Sequence, residues 1–139
     1  MSDLSITAAN VAASNTAIIE RRYPFGATVT QGQVVYLDSN NRWQLGDASA
    51  VTGNNVEDKR GVALVSGANG QPAVVCVKDT DFTPGATLSN GGVYAVSTNA
   101  GNIADIADIT SGNFPVFLGI AKSTSKLNLN PTAAGIAVD

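Results

Sequence analysis

The chain has 139 residues, of which only 14% are charged, and its formal net charge is −3. A chain of this length forms one domain with a usable core, and its charged fraction lies well below the roughly 25% of an average soluble domain. The basic residues form no run longer than two, which argues against nucleic-acid binding. No apolar stretch approaches the roughly 20 residues of a membrane span, and the N-terminus does not resemble a signal peptide. We therefore expect a protein that contacts neither nucleic acid nor membrane.

The first 20 residues, MSDLSITAANVAASNTAIIE, are rich in Ala, Ser, Asn and Thr and carry no sustained helical stripe. This composition predicts an extended N-terminal arm that becomes ordered on a partner. Two short runs in it, LSIT and TAII, have the β-branched content to pair with a strand of another protein. Leu4 and Ile6 of the first run are therefore candidate binding residues. The second run is equally compatible with the first strand of the domain itself.

Residues 21–25, RRYPF, follow the arm and combine two cations with two aromatic rings. Arg and Tyr are among the residues enriched at the energetic hot spots of protein interfaces. Arg21, Arg22, Tyr23 and Phe25 are therefore candidate partner-binding residues. The alternative interpretation is a solvated turn that leads into the first repeated segment.

The segments GATVTQGQVVYLDS and GATLSNGGVYAVS share the same order of glycine, threonine and apolar positions, and RGVALVS corresponds to LGIAKST further along the chain. An offset of 58 or 59 residues, with one gap in the tyrosine strand, aligns three pairs: Gly26 with Gly85, Tyr36 with Tyr94, and Gly61 with Gly119. Such self-similarity indicates internal duplication. It predicts two equivalent lobes, at about residues 26–78 and 85–139, within a single domain that spans residues 21–139.

Short apolar runs bounded by Gly, Asn, Asp and Pro make up most of the chain after residue 25, and no segment of ten residues has a convincing helical period. Runs of this length and β-branched content predict strands. The fold class is therefore all-β, as a small β-barrel or β-sandwich. We expect eight apolar side chains to contribute to the core or to a subunit interface: Val35, Leu37, Leu64, Val75, Val77, Val96, Leu118 and Ile120.

The sequence contains no histidine and one cysteine, Cys76. This removes the usual general base near neutral pH, the Ser-His and Cys-His nucleophiles, and a cysteine-based zinc site. The acidic pairs Asp79/Asp81 and Asp105/Asp108 lack the ligand spacing of a calcium loop and are interpreted as solvated loop carboxylates. No Gly-Lys-Ser/Thr follows the glycines, so they form no phosphate loop. We expect no catalytic site, metal or cofactor, and a function that depends on surface shape.

A carrier domain is one alternative, because GATVTQGQVVY has the two-glycine rhythm of lipoyl- and biotin-carrying domains, which are also small duplicated β-sandwiches. The pair Asp58-Lys59 resembles the Asp-Lys of a lipoylation hairpin. However, that lysine should lie at a tight turn between two strands, whereas the preceding TGNNVE is polar and poor in strand formers.

Four successive blocks, ATVTQGQVVYLDSNNRWQLGDA, RGVALVSGANGQPAVVCV, GATLSNGGVYAVSTNAGNIADIADI and FLGIAKSTSKLNL, resemble the head decoration, or capsid cement, proteins of tailed bacteriophages. The resemblance covers about residues 26–139. It implies a virion protein, made in the bacterial host cytoplasm, that binds the outer surface of the mature capsid and clamps neighbouring major capsid subunits. It also implies a homotrimer, in agreement with the sparse surface charge. A phage fibre or tail-tip domain is a further non-catalytic alternative.

Overall fold

A computed structural model describes residues 3–49 and 59–139, which form one curled antiparallel sheet with the shape of a half-barrel. Its strands are β1 (Ile18–Glu20), β2 (Val34–Leu37), β3 (Trp43–Leu45), β4 (Arg60–Ala63), β5 (Val75–Phe82), β6 (Val93–Val96), β7 (Ile103–Asp105), β8 (Val116–Ala121) and β9 (Leu127–Ala133). Two short 3-10 helices, Ala8–Asn10 and Ile106–Asp108, complete the regular elements of these residues. Nowhere in the described ranges does a helix have the length and apolar character to span a membrane. The prediction of an all-β, barrel-like fold is confirmed.

The strand order β3-β2-β4-β5-β9-β8-β6-β7 places two four-stranded ladders side by side, while β1 adds to β5. In each ladder a hairpin is followed by a strand that pairs with the first strand of that hairpin, and then by a last strand. We call β2 to β5 the first lobe and β6 to β9 the second lobe. The lobes meet where β5 pairs with β9, so the duplicated sequence corresponds to a duplicated topology. The first lobe extends past its predicted limit, because β5 continues to Phe82.

The registers of the two ladders correct the predicted alignment of the tyrosines. Val35 lies opposite Gly61 in the first lobe, and Tyr94 lies opposite Gly119 in the second. Tyr94 is therefore the counterpart of Val35, and Tyr36 has no tyrosine counterpart. The turn after β6 is one residue longer than the turn after β2, and the gap lies in this turn rather than in the strand.

Gly61 and Gly119 occupy equivalent positions at which the next strand approaches closely. A Cβ atom on Gly61 would overlap the carbonyl oxygen of Cys76 on β5, and a Cβ atom on Gly119 would overlap that of Asn128 on β9. Glycine at these positions leaves room for the neighbouring backbone. The close approach explains why both repeated blocks carry glycine at this point.

Two groups of buried side chains form the core. The smaller core packs on one face of the first lobe and consists of Phe25, Val29, Val35, Trp43, Ala63, Ala73 and Val75. The larger core takes side chains from both lobes, among them Val34, Val62, Phe82, Tyr94, Ile103, Leu118, Leu127 and Leu129. Because the adjacent Val34 and Val35 belong to different cores, β2 is buried on both faces.

The predicted core side chains fall into three classes. Val35, Val75, Val96 and Leu118 are fully buried. Leu37, Leu64 and Val77 are half-buried and pack against the two cores. Ile120 is 47% exposed, so its assignment to the core is wrong, and an interface role stays a prediction.

The N-terminal segment lies against its own domain. Ile18, Ile19 and Glu20 pair with β5, so the TAII run contains the first strand of the domain, which is one of the two alternatives that the sequence left open. Upstream of β1, residues 3–17 cross the sheet in a mostly extended conformation, and we call this segment the strap. The strap finds its partner within the chain rather than in a second protein.

Candidate functional site

The RRYPF segment forms a corner between β1 and the first lobe. Arg21 and Arg22 are exposed, and Tyr23 is half-buried against the smaller core. The guanidinium carbon of Arg22 lies 5.8 Å from the centroid of the Tyr23 ring, within the range of a cation–π contact. Phe25 is fully buried, so the prediction of Phe25 as a binding residue is corrected: its ring fills the core and has no surface for a partner.

Backbone hydrogen bonds hold this corner in place. The Phe25 amide donates to the carbonyl oxygen of Gln71 at 2.9 Å, and the Gly70 amide donates to the carbonyl oxygen of Phe25 at 2.8 Å. The Trp43 amide donates to the carbonyl oxygen of Pro24 at 3.0 Å. The exposed arginines are thus attached to a backbone that is fixed by the core on one side and by β1 on the other. A preorganised surface of this kind loses little entropy on binding.

Positive charge is concentrated in the first lobe. Arg42, in the turn between β2 and β3, is exposed, and its Nη1 donates to Oδ1 of Asn69 at 3.2 Å. We call Arg21, Arg22 and Arg42 the basic corner. None of the three forms an ion pair with another described residue. The corner can therefore contact an acidic surface without first breaking an internal ion pair.

Leu4 and Ile6 lie elsewhere, beside the turn between β6 and β7. Both side chains are half-buried and pack against the larger core. The Leu4 amide donates to the carbonyl oxygen of Ile103 at 2.8 Å, which covers part of the outer edge of β7. The structure thus separates these two candidates from the basic corner, and the docked strap uses much of their apolar surface within the chain.

Asp3 anchors the start of the strap, which the sequence did not indicate. Its carboxylate accepts hydrogen bonds from Ser97 Oγ at 2.5 Å, Asn99 Nδ2 at 2.9 Å and Asn102 Nδ2 at 2.8 Å. Burial alone would raise the pKa of Asp3, but these hydrogen bonds outweigh it and the pKa lies below its usual value. The ionised carboxylate thus ties the strap to the turn between β6 and β7.

Asp79 anchors the other end of the strap. Its side chain is 1% exposed, so the interpretation as a solvated loop carboxylate is wrong for this residue. The carboxylate accepts hydrogen bonds from the Ser14 amide at 2.7 Å, from the Ser14 hydroxyl and from the Asp81 amide at 3.0 Å. Burial raises the pKa of Asp79, yet the hydrogen bonds led by Ser14 lower it further, so the net shift is downward. DTD therefore fixes the strap rather than a ligand.

Other chemistry-bearing residues have structural partners. Asp105 accepts a hydrogen bond from the Ala107 amide at 2.9 Å and caps the second 3-10 helix. Burial, followed by the charge of Asp79, raises the pKa of the Cys76 thiol to about 12, so it stays protonated at neutral pH. Within residues 3–49 and 59–139, no three metal-ligating side chains converge.

Lys59 bears on the carrier alternative. Its Nζ lies 2.9 Å from Oε2 of Glu20, and it directly precedes β4. The neighbouring Asp58 lies outside the described residues. A lysine that is ion-paired at the base of a strand differs from the free lysine that a modifying enzyme requires.

Comparison of this chain with protein-family models, with curated proteins and with solved structures found no match. The resemblance to capsid decoration proteins therefore depends on the four sequence blocks alone.

Proposed function

We propose that this protein is a structural virion component that decorates the outer surface of a mature bacteriophage capsid and clamps neighbouring major capsid subunits. The observation that carries the proposal is the resemblance of the four blocks to head decoration proteins. These blocks contain strands β2 to β8 and the start of β9, so the resemblance extends over both lobes of the sheet. Partner binding by such a scaffold needs surface shape and no reacting group.

The joined ends of the sheet support a mechanical role. The Gly101 amide donates to the carbonyl oxygen of Gly46 at 2.7 Å, and the Ala48 amide donates to that of Ser97 at 3.0 Å. These bonds connect the segment after β3 with the turn after β6, at opposite ends of the strand order. A closed scaffold has few free backbone groups and resists opening, as a protein that spans capsid subunits under load requires.

The basic corner is the surface that we assign to capsid binding. Arg21, Arg22 and half-buried Tyr23 are the residue types that dominate interface energies, and the fixed backbone presents them in one arrangement. In a homotrimer the corner would occur three times, and simultaneous engagement would raise the apparent affinity well above that of one contact. We therefore assign the first lobe to the capsid-facing side.

A sedimentation experiment tests the proposal. Purified protein is mixed with mature capsids that lack a decoration protein, the mixture is pelleted, and the bound fraction is measured against protein concentration. We expect saturable binding, and a loss of about tenfold or more in affinity for the double variant R21E/R22E. The matched control K122E/K126E makes the same charge change in the second lobe and should bind nearly as the parent protein does.

The alternatives predict different results. A fibre or tail-tip domain would assemble without binding capsids, and a carrier domain would gain a lysine-linked mass in its host. Failure to bind any decoration-free capsid contradicts the proposed function. Binding that R21E/R22E leaves unchanged retains the function and rejects the basic corner as its site.

A further inference from the structure

We propose that the strap is a separately releasable cover over the junction between the two lobes, held by two ionised carboxylates and freed by acid before the sheet unfolds. This inference concerns the chain alone and does not depend on capsid binding.

The strap crosses both lobes with few contacts. The Thr7 amide donates to the carbonyl oxygen of Gly85 at 2.8 Å, and Ala12 exchanges two hydrogen bonds of 2.9 Å with Thr83. Val11 is the one strap side chain that is buried, and its carbonyl oxygen accepts from Gln31 Nε2 at 3.1 Å. A segment with so little buried apolar surface can open at a lower free energy than the strands beneath it.

Two glycines form the floor on which the strap lies. A Cβ atom on Gly32 would come within 2.9 Å of methyl carbons of both Ile6 and Val11, and one on Gly85 within 2.6 Å of the Thr7 carbonyl oxygen. Both glycines have positive φ, at 98° and 78° respectively. The strap therefore requires the absence of side chains at two turns, one in the first lobe and one before the second.

The two anchors hold the strap near its ends, and their hydrogen-bond partners are neutral donors. Asp3 faces Ser97, Asn99 and Asn102, and the amino terminus is the charged group that adds to its stabilisation. Around Asp79, the hydroxyls of Ser14 and Thr16 approach from the strap, and Leu129 is its register partner on β9. On β5 the facing titratable groups are the protonated thiol of Cys76 and the carboxylate of Asp81, which pairs with Lys122 on the segment after β8. With no cation bound to Asp79, its ionised form is held by hydrogen bonds.

Protonation removes this hold. A carboxylate accepts from every donor around it, whereas a carboxylic acid brings a proton of its own against them. Because the pKa of both anchors is lowered in the docked state, the docked strap is fully stabilised above the usual aspartate pKa. That stabilisation is lost as the pH falls through the lowered values, below about pH 4. The rest of the sheet depends on apolar cores that acid does not titrate directly.

Amide hydrogen exchange followed by NMR tests the inference residue by residue. Leu4, Thr7, Ala12 and Ser14 have hydrogen-bonded strap amides, and Val34 and Ala63 report on the first lobe. We expect the strap amides to lose protection together between about pH 4 and pH 2.5, while the sheet amides stay protected. Loss of protection at one common pH in both sets would overturn the inference.

Carboxamide variants separate the anchors from ordinary acidic residues. Asp79→Asn and Asp3→Asn should each lower strap protection about tenfold or more at pH 6, because each replaces an acceptor by a group that also donates. Asp81→Asn and Asp38→Asn remove a carboxylate that does not contact the strap and are the matched controls. Equal strap protection in anchor and control variants would contradict the assignment. If Asp79→Asn fails to fold, Asp3→Asn decides, since Asp3 belongs to the strap itself.

A pair of glycine variants tests the floor independently of charge. Gly85→Ala and Gly91→Ala impose the same backbone strain, since their φ angles are 78° and 71°. A Cβ atom meets the strap at Gly85, whereas nothing lies within 4 Å of one at Gly91. We expect strap protection to fall in Gly85→Ala relative to Gly91→Ala, and equal protection would reject the docking geometry.

Discussion

The two lobes have the same ladder but use its two faces differently. In the first lobe, Val34, Val62 and Cys76 project from the back face into the larger core, while the front face carries the smaller core. The registers give Val93, Ile120 and Asn128 as the counterparts of these three in the second lobe. There Val93 is half-buried and the other two are exposed.

This difference teaches how a duplicated sequence can form one domain rather than two. The first lobe is an inner layer that is covered on both faces, and the second lobe closes the larger core and keeps its back face open. The polar Asn128 stands where the first lobe has the buried Cys76, so the sequence itself marks the open face. Duplication thus set the topology, and later divergence of the back face decided which lobe is covered.

The largest effect is expected where the lobes agree most closely. Gly61→Ala and Gly119→Ala each place a Cβ atom on the carbonyl oxygen of the neighbouring strand. We expect each change to lower the free energy of unfolding by about 3 kcal/mol or more, because the obstacle is backbone that cannot move without separating the strands. Chemical denaturation measures the loss. Gly112→Ala is the control, since nothing lies within 4 Å of its Cβ position. A small loss at either strand position would contradict the equivalence of the two glycines.

The next effect separates the two back faces. Val62→Ala removes two methyl groups from the larger core and should cost about 2 kcal/mol. Ile120→Ala removes more carbon from the equivalent position, yet it should cost under about 0.5 kcal/mol, because this side chain is 47% exposed. Thermal or chemical unfolding of both variants checks the contrast. A concentration-dependent loss in Ile120→Ala would instead identify the open face as an interface between copies.

A smaller effect concerns one amide that each lobe satisfies in its own way. The Thr30 amide donates to Oε1 of Gln33 at 2.8 Å, and the equivalent Ser89 amide donates to the Tyr94 hydroxyl at 2.9 Å. Gln33→Ala and Tyr94→Phe should each cost about 1 kcal/mol through the lost acceptor. Because the two sites belong to different lobes, the double variant should show the sum of the two losses. A double variant no less stable than either single one would refute independent lobes.

The sequence allowed the fold to be predicted because its signals are local. Short apolar runs, glycine turns and the recurring blocks specified strands, and the offset near 59 residues specified two ladders. The tyrosine alignment failed because residue identity suggested it, whereas register follows from backbone pairing. Val35 and Tyr94 look unrelated in sequence but share a position opposite glycine.

The candidate site was less predictable, because burial and anchoring depend on contacts between distant residues. Phe25 is an aromatic next to two arginines, and only the fold shows that its ring fills the smaller core. Asp3 and Asp79 drew no attention as a pair, since their partners Ser97 and Ser14 lie 94 and 65 residues away. Exposure of Arg21 and Arg22, which depends on composition and local turn chemistry, was predicted correctly.

The smallest effect compares the exposed ion pairs of the two lobes. Lys59 pairs with Glu20 at 2.9 Å in the first lobe, and Lys122 pairs with Asp81 at 2.6 Å in the second. Both lysine side chains are nearly half exposed, so screening by solvent limits each pair to about 0.2–1 kcal/mol. The hydrogen bond from Lys59 lowers the pKa of Glu20, so this contribution is present above the usual glutamate pKa and is lost as the pH falls below it. Lys59→Met and Lys122→Met, measured by denaturation at pH 7 in low and high salt, should differ from the parent protein only in low salt. At pH 3 the effect of Lys59→Met should disappear, and a loss that persists there would mean that the lysine stem contributes by packing and not by charge.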